Sequence, residues 1–281
     1  MHGRTCCLCT VGQVVHTLPE GELVWGVASL GDEVYVLRPK GLHDVEVYDA
    51  ITYRLLRYLT VPNSHGFADM TLCECYRLLY IVDPIATCVH RLDLHGETTR
   101  WAVNDKPYGI SVNGAHNVLV ACPAVRKIKE FTTFGDFLRE LTLPDEVINP
   151  WHAVQLTNGQ FIVCHGEADD AVHRVCKISP DGRHIVQSHG GQRGPELGRY
   201  NVPRHLALDT NEFVFVTDVN NRRVTLLSPG FDHTRQVVSR DKLKWLPRRL
   251  HLDVRRRRLY VADNEFRDGE FSAGRVVVFS V

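Results

Sequence analysis

An apolar half-strand returns six times along the chain, led by Trp25, Phe67, Tyr108, Trp151, Arg204 and Arg248, at intervals of 42, 41, 43, 53 and 44 residues. A period near 40 to 50 residues marks a blade or solenoid unit, because such a unit buries its apolar faces only against its neighbours. Each return breaks into four short segments rich in β-formers. In the fifth, these are His205 to Asp209, Phe213 to Thr217, Val224 to Leu227 and Thr234 to Ser239. The links between them are too short for a helical crossover, so they join antiparallel neighbours. The last return supplies three segments before Val281, whereas Gly12 to Leu18 is a spare strand-like segment ahead of the first.

These patterns predict an all-β chain: a six-bladed β-propeller, four antiparallel strands per blade, with the N-terminal strand completing the last blade and closing the ring. The expected blades span 23–65, 66–106, 107–149, 150–201, 202–245 and 246–281 plus 11–18, in a single domain over 1–281.

The fifth unit carries the most specific pattern: Pro203, the apolar strand Leu206 to Asp209, then Val214 to Asp218, Asn221, Arg223 and Val224. A glycine-spaced link, Gly190-Gly191, Gly194 and Gly198, precedes it. Partial copies recur, with Asp83 and Asp263 ending second strands and Arg91, Lys127, Arg174 and Arg275 read as counterparts of Arg223. Glu46, Cys122 and His165 depart from the pattern. On these residues the chain resembles the NHL-repeat β-propellers, in particular the NHL domain of tripartite-motif proteins, without their RING, B-box or coiled coil. That resemblance implies a partner-recognition module, in several relatives for RNA, and not a ubiquitin ligase in itself. The recurring Asp and Asn also have a structural use, holding turns through backbone hydrogen bonds, and the arginines can tie blades together.

Inner strands start at one propeller face, so the leaders should ring the channel mouth. Trp25, Phe67, Tyr108 and Trp151 with Arg204, His205, Arg222, Arg248 and Arg249 would there offer stacking faces and cations to a single-stranded RNA or a protein. The alternative is an enzyme with calcium or zinc in the channel, of the lactonase or amidating-lyase type, for which His152, His205 and Asp69 are the available ligands. The expected default is non-catalytic, with no cofactor.

Two other clusters draw attention. His165, Glu167, Asp169, Asp170 and His173 crowd one loop of blade four and read as a solvated loop; Cys6, Cys7 and Cys9 lack a second pair for zinc. The arginine run 255–258 should fall at the opposite face from Arg248. With 33 basic and 33 acidic residues there is no whole-molecule field to draw in nucleic acid or membrane, so any anionic partner needs a local patch. Nine scattered cysteines read as reduced thiols, and the N-terminal stretch lacks the apolar core of a signal peptide. The expectation is a cytoplasmic monomer without a membrane span.

Overall fold

The computed structural model describes residues 12–40, 43–94, 97–267 and 269–281; the Cys6, Cys7 and Cys9 cluster lies outside them. Strand β1 (Val14–Thr17) is followed by β2 (Gly26–Leu30), β3 (Glu33–Lys40), β4 (His43–Asp49) and β5 (Leu55–Leu59), the last four forming blade one. Blade two holds β6 (Asp69–Cys73), β7 (Leu78–Asp83), β8 (Cys88–Asp93) and β9 (Thr98–Ala102). Blade three holds β10 (Gly109–Val112), β11 (Val118–Cys122), β12 (Lys127–Phe131) and β13 (Phe137–Thr142). Blade four is β14 (Pro150–Gln155), β15 (Phe161–His165), β16 (Val172–Ile178) and β17 (Ile185–Gln192). Blade five is β18 (Pro203–Leu208), β19 (Val214–Asp218), β20 (Arg223–Leu227) and β21 (Thr234–Val238). Blade six orders β22 (Leu246–Asp253), β23 (Arg258–Arg267) and β24 (Glu270–Ser280), with β1 on its outer edge.

The ring closes as the leftover segment predicted. Val14 pairs with Phe279 and Thr17 with Val277, and the Gly12 and Leu18 amides donate to the Ser280 and Val276 carbonyls at 3.0 and 2.9 Å. The edge of β24 is thereby covered.

Why the middle strands read as unbroken apolar runs follows from the packing. Side chains alternate along a strand, and a blade has a neighbour on each face. Val34 and Val36 pack against blade six, whereas Tyr35 and Leu37, between and after them, pack against blade two. The same division produces six buried clusters, one per blade interface. No helix among the described residues is long and apolar enough to cross a membrane.

The second-strand aspartates grip the linker entering their blade. Asp83 accepts the His65 amide at 2.7 Å, Asp218 the Asn201 amide at 2.7 Å, and Asp263 the Lys244 and Trp245 amides at 2.8 Å each. In blades five and six an arginine facing the aspartate neutralises it: Arg223 lies 2.7 Å from Asp218 and Arg275 lies 2.9 Å from Asp263. Arg223 further donates to the carbonyls of Pro195, Glu196 and Arg199, so it cages the glycine-spaced link. Blade one reverses the charges, with Arg38 on the second strand 3.1 Å from Glu46 on the third. Arg91 does not take Arg223's place: it pairs across from Tyr80, while Cys88 stands opposite Asp83.

Candidate recognition site at the channel mouth

Cross-strand register sets the true levels of the channel. Gly26 lies opposite Leu37, Asp69 opposite Val82, Gly109 opposite Ala121, His152 opposite Cys164 and Arg249 opposite Ala262. The His205 amide reaches the Thr217 hydroxyl at 2.9 Å, which adds blade five to the same level. One layer therefore contains Gly26, Asp69, Gly109, His152, His205 and Arg249. Blade two is displaced by one residue from the sequence reading, because Ala68, not Phe67, precedes this layer there. Phe67 is instead buried in the cluster between blades one and two.

The layer is a buried polar plug. Arg249 reaches across from blade six, its Nε 2.9 Å from Asp69 Oδ1, with a further guanidinium nitrogen on the Ala68 carbonyl. Asp69 Oδ2 stands 3.3 Å from His205 Nε2 and 3.8 Å from His152 Nε2, and accepts the Ile110 amide at 3.1 Å. Burial alone would raise the Asp69 carboxyl, but Arg249, His205 and His152 outweigh it and hold the group well below the usual carboxylate range. Burial pushes both histidines down from their ordinary value, so they are neutral at pH 7. Gly26 and Gly109 serve packing. A Cβ on Gly109 would lie 2.2 Å from the Trp151 carbonyl oxygen of the adjoining inner strand.

Asp69, His152 and His205 converge closely enough to suggest a metal. The donor set does not fit one. His152 Nε2 points at the Ile110 carbonyl at 3.1 Å; a carbonyl only accepts, so this nitrogen carries its proton and has no lone pair to give. The Arg249 guanidinium already supplies the positive charge that Asp69 needs.

Above the plug, at the face where inner strands begin, Arg204 and Arg248 line a cavity of about 350 Å³ together with Glu167, Asn220, Leu246 and Phe266. Arg204 lies 3.1 Å from Glu167 and stacks on Trp151 at 3.8 Å from the ring centroid. Arg248 faces the Trp25 ring at 5.6 Å. The aromatic leaders are wedges between blades: Trp25 joins the cluster of blades one and two, Tyr108 that of two and three, and Trp151 that of four and five. Trp151 also meets Tyr108 edge-on at 5.3 Å. The open stacking platform expected from the sequence is thus largely filled by the protein's own side chains.

Arg222 lies at this face, but its guanidinium donates to the carbonyls of Leu243, Lys244 and Trp245, so it clamps the linker into blade six instead of adding to a basic patch. The blade-four cluster does not converge either. Both His173 nitrogens are engaged, one with the Asp170 carbonyl at 3.0 Å and the other with the Val202 amide at 3.0 Å, and His165 is buried against Cys176. Its useful member is Glu167, the partner of Arg204. Of the arginine run, Arg256 binds Asp253 at 3.1 Å and also Asp32, on the opposite face.

Below the plug, the channel opens into a second cavity of about 200 Å³ lined by His152, His205, His251, Thr71, Ser111 and Ala207. His251 Nε2 lies 2.8 Å from the Ser29 hydroxyl, a polar contact two residues beyond Arg249 that no leader position marks.

No family model matches the chain, and no curated protein matches it. Solved structures do. It is similar to virginiamycin B lyase from Staphylococcus aureus (TM-score 0.60, 10% identity, 94% of this chain and 99% of that one). It is also similar to Kuenenia stuttgartiensis hydrazine synthase (0.62, 14%, 93% and 98%). The β-propeller domain of Cps50 (Swd1) from Myceliophteria thermophila matches as well (0.61, 13%, 96% and 99%). Likenesses this distant, to proteins this different, show the propeller fold alone.

Proposed function

We propose that the chain is a non-catalytic recognition module whose blade-five and blade-six mouth takes a carboxylate-bearing segment of a protein partner. One observation carries the reading: two guanidiniums from neighbouring blades share a single cavity. Burial lowers the Arg248 pKa first, and the like charges of Arg204 and Arg249 lower it further, more than Glu167 restores. Arginine stays charged under such stress, so a bound anion would relieve it through forked hydrogen bonds. A nucleic acid would need open aromatic faces as well, and Arg204 already covers Trp151. The Asp218–Arg223 and Asp263–Arg275 pairs support the finer reading of an NHL-type propeller, working in the cytoplasm as a partner-reading unit.

Fluorescence polarisation with a labelled hexaglutamate peptide, and in parallel a labelled oligouridylate, tests this. The peptide should bind more weakly as salt rises, and the Arg204→Gln/Arg248→Gln double variant should lose about tenfold or more in affinity, roughly 1.4 kcal/mol. A tighter, arginine-dependent oligouridylate complex would move the assignment to RNA. Peptide binding that ignores both substitutions would remove the site.

A further inference from the structure

The aspartate that ends the second strand has a cationic partner in blades five and six, and blade two breaks this rule. Across the strand from Asp218 stands Arg223, and across from Asp263 stands Arg275; across from Asp83 stands Cys88. Asp83 is fully buried, as its counterparts are. It makes the same grip on the incoming linker and additionally accepts the Ile85 and Ala86 amides at 3.0 and 2.8 Å. What it lacks is the guanidinium.

In that place lie softer groups. Cys88 Sγ is 3.5 Å from His90 Nε2, and the same His90 nitrogen is 3.5 Å from Asp83 Oδ2. The three donor atoms all fall within 4.8 Å of one another, with Asp83 and His90 fully buried and Cys88 nearly so. A fourth candidate, His65, places its Nδ1 4.0 Å from Asp83 Oδ2 from the rim, where its side chain is 58% exposed.

We propose that Asp83, Cys88, His90 and His65 form a structural zinc site that replaces, with a metal cation, the arginine of blades five and six. The distances suit it. Zinc held at about 2.0–2.3 Å from nitrogen, oxygen and sulfur in a tetrahedron sets neighbouring donors roughly 3.3–3.6 Å apart. Both 3.5 Å separations fall there, and rotation of the exposed His65 closes the fourth corner. A nucleophilic Cys-His-Asp relay is excluded by the same geometry. Such a relay needs the thiol and the carboxylate on opposite ring nitrogens, whereas both here address Nε2. Convergence on one point is what a metal requires. Arg100 pairs across from His90, on the outer strand, and is not among the donors. Blade four offers a contrast: His165 also contacts Cys176 at 3.5 Å, but among the described residues no carboxylate completes a three-donor group with them.

The untagged full-length chain should be loaded with zinc chloride or cobalt chloride, desalted and analysed for metal. The expected result is about one ion per chain, with a near-ultraviolet thiolate-to-cobalt charge-transfer band in the cobalt form. Cys88→Arg recreates the blade-five pair, so it should retain a cooperative melt while losing the metal and the band. Asp69→Asn, in the channel, should keep both. Absence of retained metal, or a band that survives Cys88→Arg, overturns the site. Should that variant fail to fold, His65→Ala on the rim reads the same centre: cobalt affinity should fall about tenfold, and an unchanged affinity overturns the proposal.

Discussion

At the scale of single residues, the fold depends on groups held in the protonation state that burial dictates. His165 and His251 are pushed down to about 4, chiefly by burial, and His152 and His205 are lowered too. For a base with a depressed folded pKa, the unfolded chain binds the proton first. Stability should therefore fall as pH drops from the unfolded value near 6.5 towards 4, by a few kcal/mol per residue at most, on the order of 1.4 kcal/mol per pKa unit. Urea midpoints should decline between pH 7 and pH 5, before the carboxylates titrate; a flat midpoint over that range would contradict this account. Asp69 acts lower, since its depressed pKa stabilises the fold above the unfolded carboxylate value and the benefit is lost as pH falls further. Gly109 is a steric matter instead. Gly109→Ala should cost roughly 3 kcal/mol or more by forcing β10 from β14, read as a lower thermal midpoint; an unaltered melt would show that the strands can part cheaply.

At the scale of the strand, most of the architecture was legible in the sequence because period-two patterning, turn residues and a 40-residue return all agree. The registers that differ both lie in blade two, where Arg91 stands opposite Tyr80 and the inner strand is shifted by one residue. Phe67 looks like Trp25 and Tyr108, so it took the leader's place. The inner strands nevertheless carry an apolar column, Val27, Met70, Ile110, Ala153, Leu206 and Leu250, and only the shifted register puts Met70 in it. Reading Phe67 as leader would have placed an acid there. That slip put Asp69 one level off, so it could be grouped with His152 and His205 as metal ligands while its pairing with Arg249 stayed hidden. The Asp83, Cys88 and His90 group was harder to see, because its members are ordinary strand residues until pairing sets Cys88 opposite Asp83. Strand β1 carries its own test. Deleting residues 1–20 should bare the edge of β24 and cause aggregation or a broadened melt, followed by light scattering and circular dichroism. A truncated chain that melts like the whole one would refute the clasp.

For the whole molecule, the six interface clusters mean that no blade has a core of its own; each borrows both faces from its neighbours, as successive inner strands touch around the ring, β2 against β22 included. Both proposed sites lie where the repeat is broken: arginines lead blades five and six, and among the described residues a thiol stands in the arginine's place in blade two. The pairing of Val14 with Phe279 also sets a clock. During synthesis β1 must wait for β24, and at roughly 5–20 residues per second that wait is on the order of ten seconds to a minute. Throughout it, five blades can stack while the sixth stays incomplete, so the nascent propeller is at its most adhesive just before β24 emerges.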